Sequence, residues 1–258
     1  MENIKKILEE CLFDDLKDDI TKPNFRFNIG GVDCVSRGEI VAVAGKPGVG
    51  KSTAMAVMGG VLIGGHNFGI MQCKVRSNRI LWIDTEKGAF SCSQRMKSLR
   101  EVAELDRNTS LQDCGIDFFR IRHIETSERL SFISEATNIE KYDTIFIDGI
   151  FDLTSDANKE FTPVIDMLKK LANSDATVFA MLHTNKQEED DNMRYALGTE
   201  LQRVCTTRFT IKYDEKRRHH DIIHTKSNDT ALAPTVSFKC NSCGVAIPVT
   251  PNKNFQIR

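Results

Sequence analysis

With 258 residues, a net charge of −1, and 40% hydrophobic against 28% charged side chains, the chain can bury a sizeable core and carries no global basic field for nucleic acid. Its eight cysteines (positions 11, 34, 73, 92, 114, 205, 240 and 243) follow no disulfide spacing, the start M-E-N-I-K-K-I-L-E-E lacks a signal-peptide pattern, and no apolar run is long enough to span a bilayer. These features predict a cytoplasmic protein with reduced thiols and no membrane partner, in which nucleic-acid contact is left to local loops or to repetition in an assembly.

Ile4, Ile7, Leu8, Cys11 and Leu12 recur at helical spacing, so residues 1–24 form an N-terminal helical segment whose apolar stripe packs on its own domain or on a neighbour. Residues 25–258 read as one domain, since no linker-like stretch divides them. A first strand at 25–29 runs on through Gly30 and Gly31 toward the β-branched run I-V-A-V-A at 40–44, the pattern of a buried parallel strand. A helix opens near Lys51, and residues 64–69 read as a turn. Strands are then predicted at 79–86, 117–121, 144–148 and 177–182, alternating with helices at 90–105, 128–139 and 164–172, which argues for a parallel sheet covered on both faces. A long polar loop occupies 184–199, and from Cys205 the pattern changes to an antiparallel meander at 207–213, 221–225 and 235–238 on one edge of the same sheet.

The stretch at 45–53, G-K-P-G-V-G-K-S-T, fits G-x-x-x-x-G-K-[ST] between a strand and a helix. Gly45, Gly48 and Gly50, with Lys46, Pro47 and Val49 between them, turn successive N–H groups inward, and the helix adds its positive end. Lys51 is placed for the β- and γ-phosphates of ATP, and Ser52, followed by Thr53, for Mg²⁺. Asp148 closes the run I-F-I-D, where a carboxylate reaches that metal; the alternative is a helix cap. Position 149 is glycine, so the water-activating carboxylate is not beside it. Glu86, at the end of the 79–86 strand, stands on the same rim and is the candidate base, against a plain reading as a helix-dipole glutamate. Asp84 reads as structural or as an outer partner of the metal. His183, in L-H-T-N-K, is a candidate γ-phosphate sensor.

This order of motifs, G-K-P-G-V-G-K-S-T, I-D-T-E, I-F-I-D, L-H-T-N-K and a late meander, resembles the RecA-like ATPases. It is most similar to hexameric replicative helicases of the plasmid RepA type and to related AAA-family ATPases of mobile elements, over residues 25–240. The resemblance implies an α/β RecA-like core with antiparallel C-terminal edge strands, in which Glu86 activates water and His183 senses the γ-phosphate. It further implies that the loops at 154–161 and 184–199 face single-stranded DNA in a homo-oligomeric ring, possible as a hexamer. Arg203 or Arg208, and Lys226, then match the basic residues that reach a neighbour's nucleotide. No arginine lies close in sequence to the phosphate loop to serve it from within the chain.

The departures are acidic: T-S-D-A-N-K-E-F in the first loop and Glu188, Glu189, Asp190 and Asp191 in the second would repel phosphate, leaving Lys159, Lys186 and Arg194 as scattered basic groups. Cys240 and Cys243 make one C-x-x-C, half of the four ligands a closed zinc site needs; His219-His220 is available in principle to contribute, but the cysteines read as ordinary thiols near a terminal turn. The expectation is an oligomeric, DNA-associated, helicase-like ATPase that uses ATP and Mg²⁺. The alternative is a KaiC-like regulatory ATPase without helicase activity.

Overall fold

The computed structural model of the protein describes residues 2–10, 12, 23–185 and 191–249. Helix α1 spans Glu2–Glu10 and leaves Ile4, Ile7 and Leu8 exposed; the rest of the predicted N-terminal segment, apart from residues 12, 23 and 24, lies outside the described residues. Strand β1 (Phe25–Ile29) does not run into the phosphate-loop strand as the sequence reading expected. Gly30 and Gly31, at φ +57° and +94°, form a two-residue turn into β2 (Val32–Ser36). With β4 (Met71–Cys73) they make a small antiparallel sheet in the order β2-β1-β4. The fully buried Arg26 ties it to the main sheet, donating from Nε to Thr177 Oγ1 at 3.0 Å and from Nη2 to the Asp143 carbonyl at 2.6 Å.

The main sheet is built on β3 (Ile40–Gly45), β5 (Ile80–Asp84), β6 (Ile116–Arg120), β7 (Thr144–Asp148) and β8 (Thr177–His183), all parallel. Strand β9 (Thr207–Asp214) pairs parallel to β3, and β10 (His219–Ser227), β11 (Val236–Cys240) and β12 (Ala246–Pro248) follow antiparallel. The order is β12-β11-β10-β9-β3-β8-β7-β5-β6. This is the expected parallel sheet with an antiparallel edge.

Alternation along β3 shows why both faces are covered. Val41 and Val43 join one apolar cluster with α2 (Lys51–Gly64) and α3 (Ala89–Val102); Ile40, Ala42 and Ala44 join the other with α5 (Thr162–Asn173) and α6 (Tyr195–Val204). On the first face Trp82, Phe146 and Phe179 stack from strand to strand, with centroids 4.8 and 4.6 Å apart. Helix α4 (Thr126–Ile139) and a short 3₁₀ turn (Ile150–Leu153) complete the elements. Among the described residues no helix is long and apolar enough to cross a membrane.

Helix α6 takes in the last five residues, 195–199, of the expected 184–199 loop. Its interior Gly198 lets the Met193 backbone approach to 2.7 Å of where a Cβ would stand.

Candidate phosphate-binding and hydrolytic site

All parallel strands end at one rim, and the phosphate loop, Glu86, Asp148 and His183 meet there because each ends or follows a strand. Gly45 ends β3, and the loop after it is N-terminal to α2, whose first residue is Lys51. Lys51, Ser52, Thr53, Gly48 and Gly50 line a cavity of about 330 Å³ together with Glu86 and His183. Lys51 Nζ donates to the Gly45 carbonyl at 3.0 Å and the Lys46 carbonyl at 2.8 Å, and lies 2.9 Å from His183 Nδ1. Burial pushes its pKa down to about 8, against the pull of Glu86 and Asp148. An ammonium donates only, so His183 accepts at Nδ1 and carries its proton on Nε2, 3.9 Å from Glu86 Oε1. Burial and then Lys51 hold the His183 imidazole below its usual pKa.

Glu86 is aimed by the residues around it. Asp84, fully buried at the end of β5, accepts through Oδ1 from the backbone N–H of Glu86 at 3.0 Å and of Lys87 at 2.7 Å, which bends the chain as it leaves the strand. Lys87 Nζ then holds Glu86 Oε2 at 3.1 Å. On the other side Gly149, at φ +102°, has no side chain; a Cβ there would stand 2.9 Å from Glu86 Oε1 and 2.4 Å from Thr85 Oγ1. The glycine after Asp148 therefore leaves the space that the Glu86 carboxylate fills.

The residues present fit a divalent cation. Asp148 is completely buried and neither carboxylate oxygen has a hydrogen-bond partner, a costly state for an anion. Burial first and Asp84 second push its carboxyl up to about 7, with the Ser52 hydroxyl opposing. Ser52 Oγ stands close enough to Asp148 to lower its pKa and also makes a weak 4.0 Å contact to Met181 sulfur. One carboxylate and one hydroxyl suit Mg²⁺, which takes its remaining ligands from water and phosphate.

Two cations missed in the sequence line the same cavity: Lys87, and Arg95 from α3, whose buried Nε is unpartnered. Arg208 and Lys226 are not brought into it. Arg208 is nearly buried and donates from Nη2 to the Asp191 carbonyl. Lys226 Nζ holds the Gln202 carbonyl at 2.9 Å and the Cys205 carbonyl at 2.5 Å at the end of α6, beside the start of β9 and away from the nucleotide rim. Arg203 pairs with Glu200 on the surface.

Next to Glu86 and His183 a second cavity of about 700 Å³ opens between the segments that follow β7 and β8. Arg122, Arg129 and Arg194 line it, with Phe151 and Tyr195 at its wall, their rings 5.0 Å apart and both partly exposed. Arg129 is spent on structure, donating to the Ile124, Asp152 and Arg122 carbonyls. Lys159 lies on the adjoining loop, and Lys186, with Glu188, Glu189 and Asp190, falls outside the described residues.

The family model described as an AAA domain matches residues 7–189. The chain belongs to the AAA domain family. No curated protein matches it in sequence. Among solved structures it is similar to a KaiC-like protein of the hyperthermophilic archaeon Pyrococcus horikoshii, at 14% identity and TM-score 0.63, covering 89% of this chain and all of that one. It is also similar to the flagellar accessory protein FlaH of Methanocaldococcus jannaschii, at 12% identity and TM-score 0.59, covering 83% and 91%. The family match and these shared folds identify this AAA domain as a RecA-like P-loop ATPase fold, the family type of nucleotide-binding proteins that usually work with Mg²⁺.

Proposed function

We propose that this AAA domain protein hydrolyses ATP and acts as a self-associating regulatory ATPase of KaiC-like kind. The observation that carries the reading is the sealed, unpartnered Asp148 carboxylate beside a glycine that makes room for Glu86. It supports a metal position and a water-activating carboxylate on one rim. Lys51 would exchange its loop carbonyls for the β- and γ-phosphates. Ser52 and Asp148 would hold Mg²⁺, which when bound neutralises phosphate charge. Glu86 takes the proton of the attacking water; the water oxygen bonds to the γ-phosphorus, the bond to the bridging β-γ oxygen breaks, and ADP leaves. The exposed apolar stripe of α1 supports self-association. Arg208 and Lys226 remain the proposed cations across such an interface.

A second reading, a DNA-associated, helicase-like ATPase serving a plasmid or mobile element, is favoured by the 700 Å³ cavity. Its exposed aromatics suit stacked bases and Arg122 and Arg194 suit phosphates of a single strand. Phosphate release measured with and without single-stranded DNA separates the two. The regulatory reading expects hydrolysis that Glu86→Gln slows by about 10² or more, that Lys51→Ala loses through ATP binding, and that DNA leaves unchanged. Strong stimulation by DNA establishes the second reading, and full turnover in Glu86→Gln overturns the assigned base.

A further inference from the structure

The antiparallel extension reaches the phosphate loop through the imidazole of His220. From β10 it places Nδ1 2.8 Å from the Val49 carbonyl oxygen, across 171 residues of sequence. The ring is stacked on Phe238 of β11, with centroids 4.9 Å apart and planes at 19°, and against Tyr213 of β9, also at 4.9 Å. Two neighbouring strands thus fix its orientation. A carbonyl only accepts, so Nδ1 carries a proton in this contact.

The loop is shaped around this ring. Gly50 sits at φ +89°, and a Cβ on it would lie 2.7 Å from His220 Nδ1 and 3.0 Å from Cε1. The imidazole therefore occupies the place of a side chain at position 50, and it lines the phosphate cavity beside Gly50 and Lys51. A peptide carbonyl turned into an anion cradle would oppose phosphate with its negative end, whereas amides turned in attract it.

We infer that His220 is a positioning residue for nucleotide binding. It holds the Val49 carbonyl out of the cradle, keeps the following amides turned inward, and ties nucleotide affinity to the packing of β9, β10 and β11. The inference rests on the reading of the 45–53 loop as the ATP site. The competing view is that the ring only fills space between Tyr213 and Phe238, and the two views order a pair of variants oppositely. His220→Phe keeps an aromatic ring in the stack and removes the donor. His220→Asn loses the ring and keeps an N–H donor near the position of Nδ1.

Affinity for a fluorescent ATP analogue, steady-state kcat and KM, and thermal unfolding are measured on the full chain. Positioning expects His220→Phe to weaken binding about fivefold to twentyfold, with kcat at saturation within about twofold and little loss of Tm. It expects His220→Asn to bind within about threefold of wild type despite a lower Tm. Normal affinity in His220→Phe with the loss in His220→Asn overturns it. Should either variant fail to fold, long-range proton–nitrogen spectra of the wild-type imidazole decide: the Nδ1–H tautomer supports the inference, and the Nε2–H tautomer overturns it. A wild type that binds no ATP analogue removes the underlying site assignment and this inference with it, while wild-type binding with unchanged His220→Phe removes the inference alone.

Discussion

Substituting Gly149 by alanine tests the geometry of the hydrolytic carboxylate. At φ +102° an alanine incurs left-handed strain of about 1–2 kcal/mol, and its Cβ would meet Thr85 Oγ1 at 2.4 Å, Glu86 Oε1 at 2.9 Å and Glu86 Cγ at 3.0 Å. Thr85 is poorly placed to yield: its hydroxyl lies 2.8 Å from the Gly149 carbonyl and 3.1 Å from that of Asp148, both part of the same turn. The Glu86 side chain is the flexible neighbour and is displaced. A displaced general base forfeits about 10² to 10⁴ in rate, so kcat is expected to fall at least about a hundredfold. ATP affinity should fall by much less than kcat, because the cradle at 45–53 belongs to a different strand and helix. Thermal unfolding should drop by about 3–8 °C, at a few degrees per kcal/mol for a chain of this size. The double variant with Glu86→Gln should be no slower than Glu86→Gln alone, since both remove one function. Phosphate-release kinetics supply the readout. Near-wild-type kcat in a folded Gly149→Ala protein would refute the argument, as would a double variant slower than either single.

Two further predictions follow from the charges. Because burial and Asp84 raise the Asp148 carboxyl to about 7, the metal-free native protein keeps a proton that the unfolded chain gives up near pH 4; this group therefore costs stability increasingly from about pH 4 to 7. If Asp148 binds the metal, Mg²⁺·ATP binding expels that proton, so affinity should weaken as pH falls from about 8 to 6, calorimetry across buffers should show proton release in that range, and Asp148→Asn should reduce the release. If Arg208 or Lys226 serves a neighbour's nucleotide, mixing Glu86→Gln protein with Arg208→Ala or Lys226→Ala protein should restore part of the turnover that each lacks. No recovery in any mixture, with turnover independent of protein concentration, would confine the chemistry to one chain.

What could be read from the chain was whatever a single segment carries. The strand at 40–45, its glycine loop and the apolar runs ending at Asp84, Asp148 and His183 announce a parallel sheet and its rim, because a buried strand must be apolar and a residue at its end must not be. The hairpin at Gly30 and Gly31 has a local signal, two successive glycines, but nothing in the segment says that the chain turns back there and does not run on toward residue 40. Strand β4 is too short to show a period, with residues only at Met71–Cys73. Helix α6 was hidden by Gly198, whose missing side chain serves packing and not a break. Arg95, His220 and the space beside Gly149 were illegible for a different reason: each acquires meaning only from a partner that folding delivers. Thus Lys87 and Arg95 enter the phosphate cavity from within the chain, whereas sequence distance had suggested that only a neighbour could supply positive charge.

The cradle is closed electrostatically by its own residues, and that bears on how nucleotide state could be transmitted. Lys51 is satisfied by two loop carbonyls and His183, and Glu86 by Lys87 with His183 beyond it. A γ-phosphate that attracts Lys51 must draw it from at least one of these partners, and His183 is the one with another place to go. His183 ends β8, and its carbonyl accepts from the Arg194 N–H at 3.0 Å while Arg194 Nε holds the Thr184 carbonyl at 2.6 Å. His183 itself lines the second cavity beside Arg194 and Tyr195, so a swing of its ring away from Lys51 would change that wall directly. Loop carbonyls alone could have neutralised Lys51 without a histidine. An imidazole between the ammonium and Glu86 instead stands where the phosphate cavity and the second cavity adjoin, an arrangement suited to a switch.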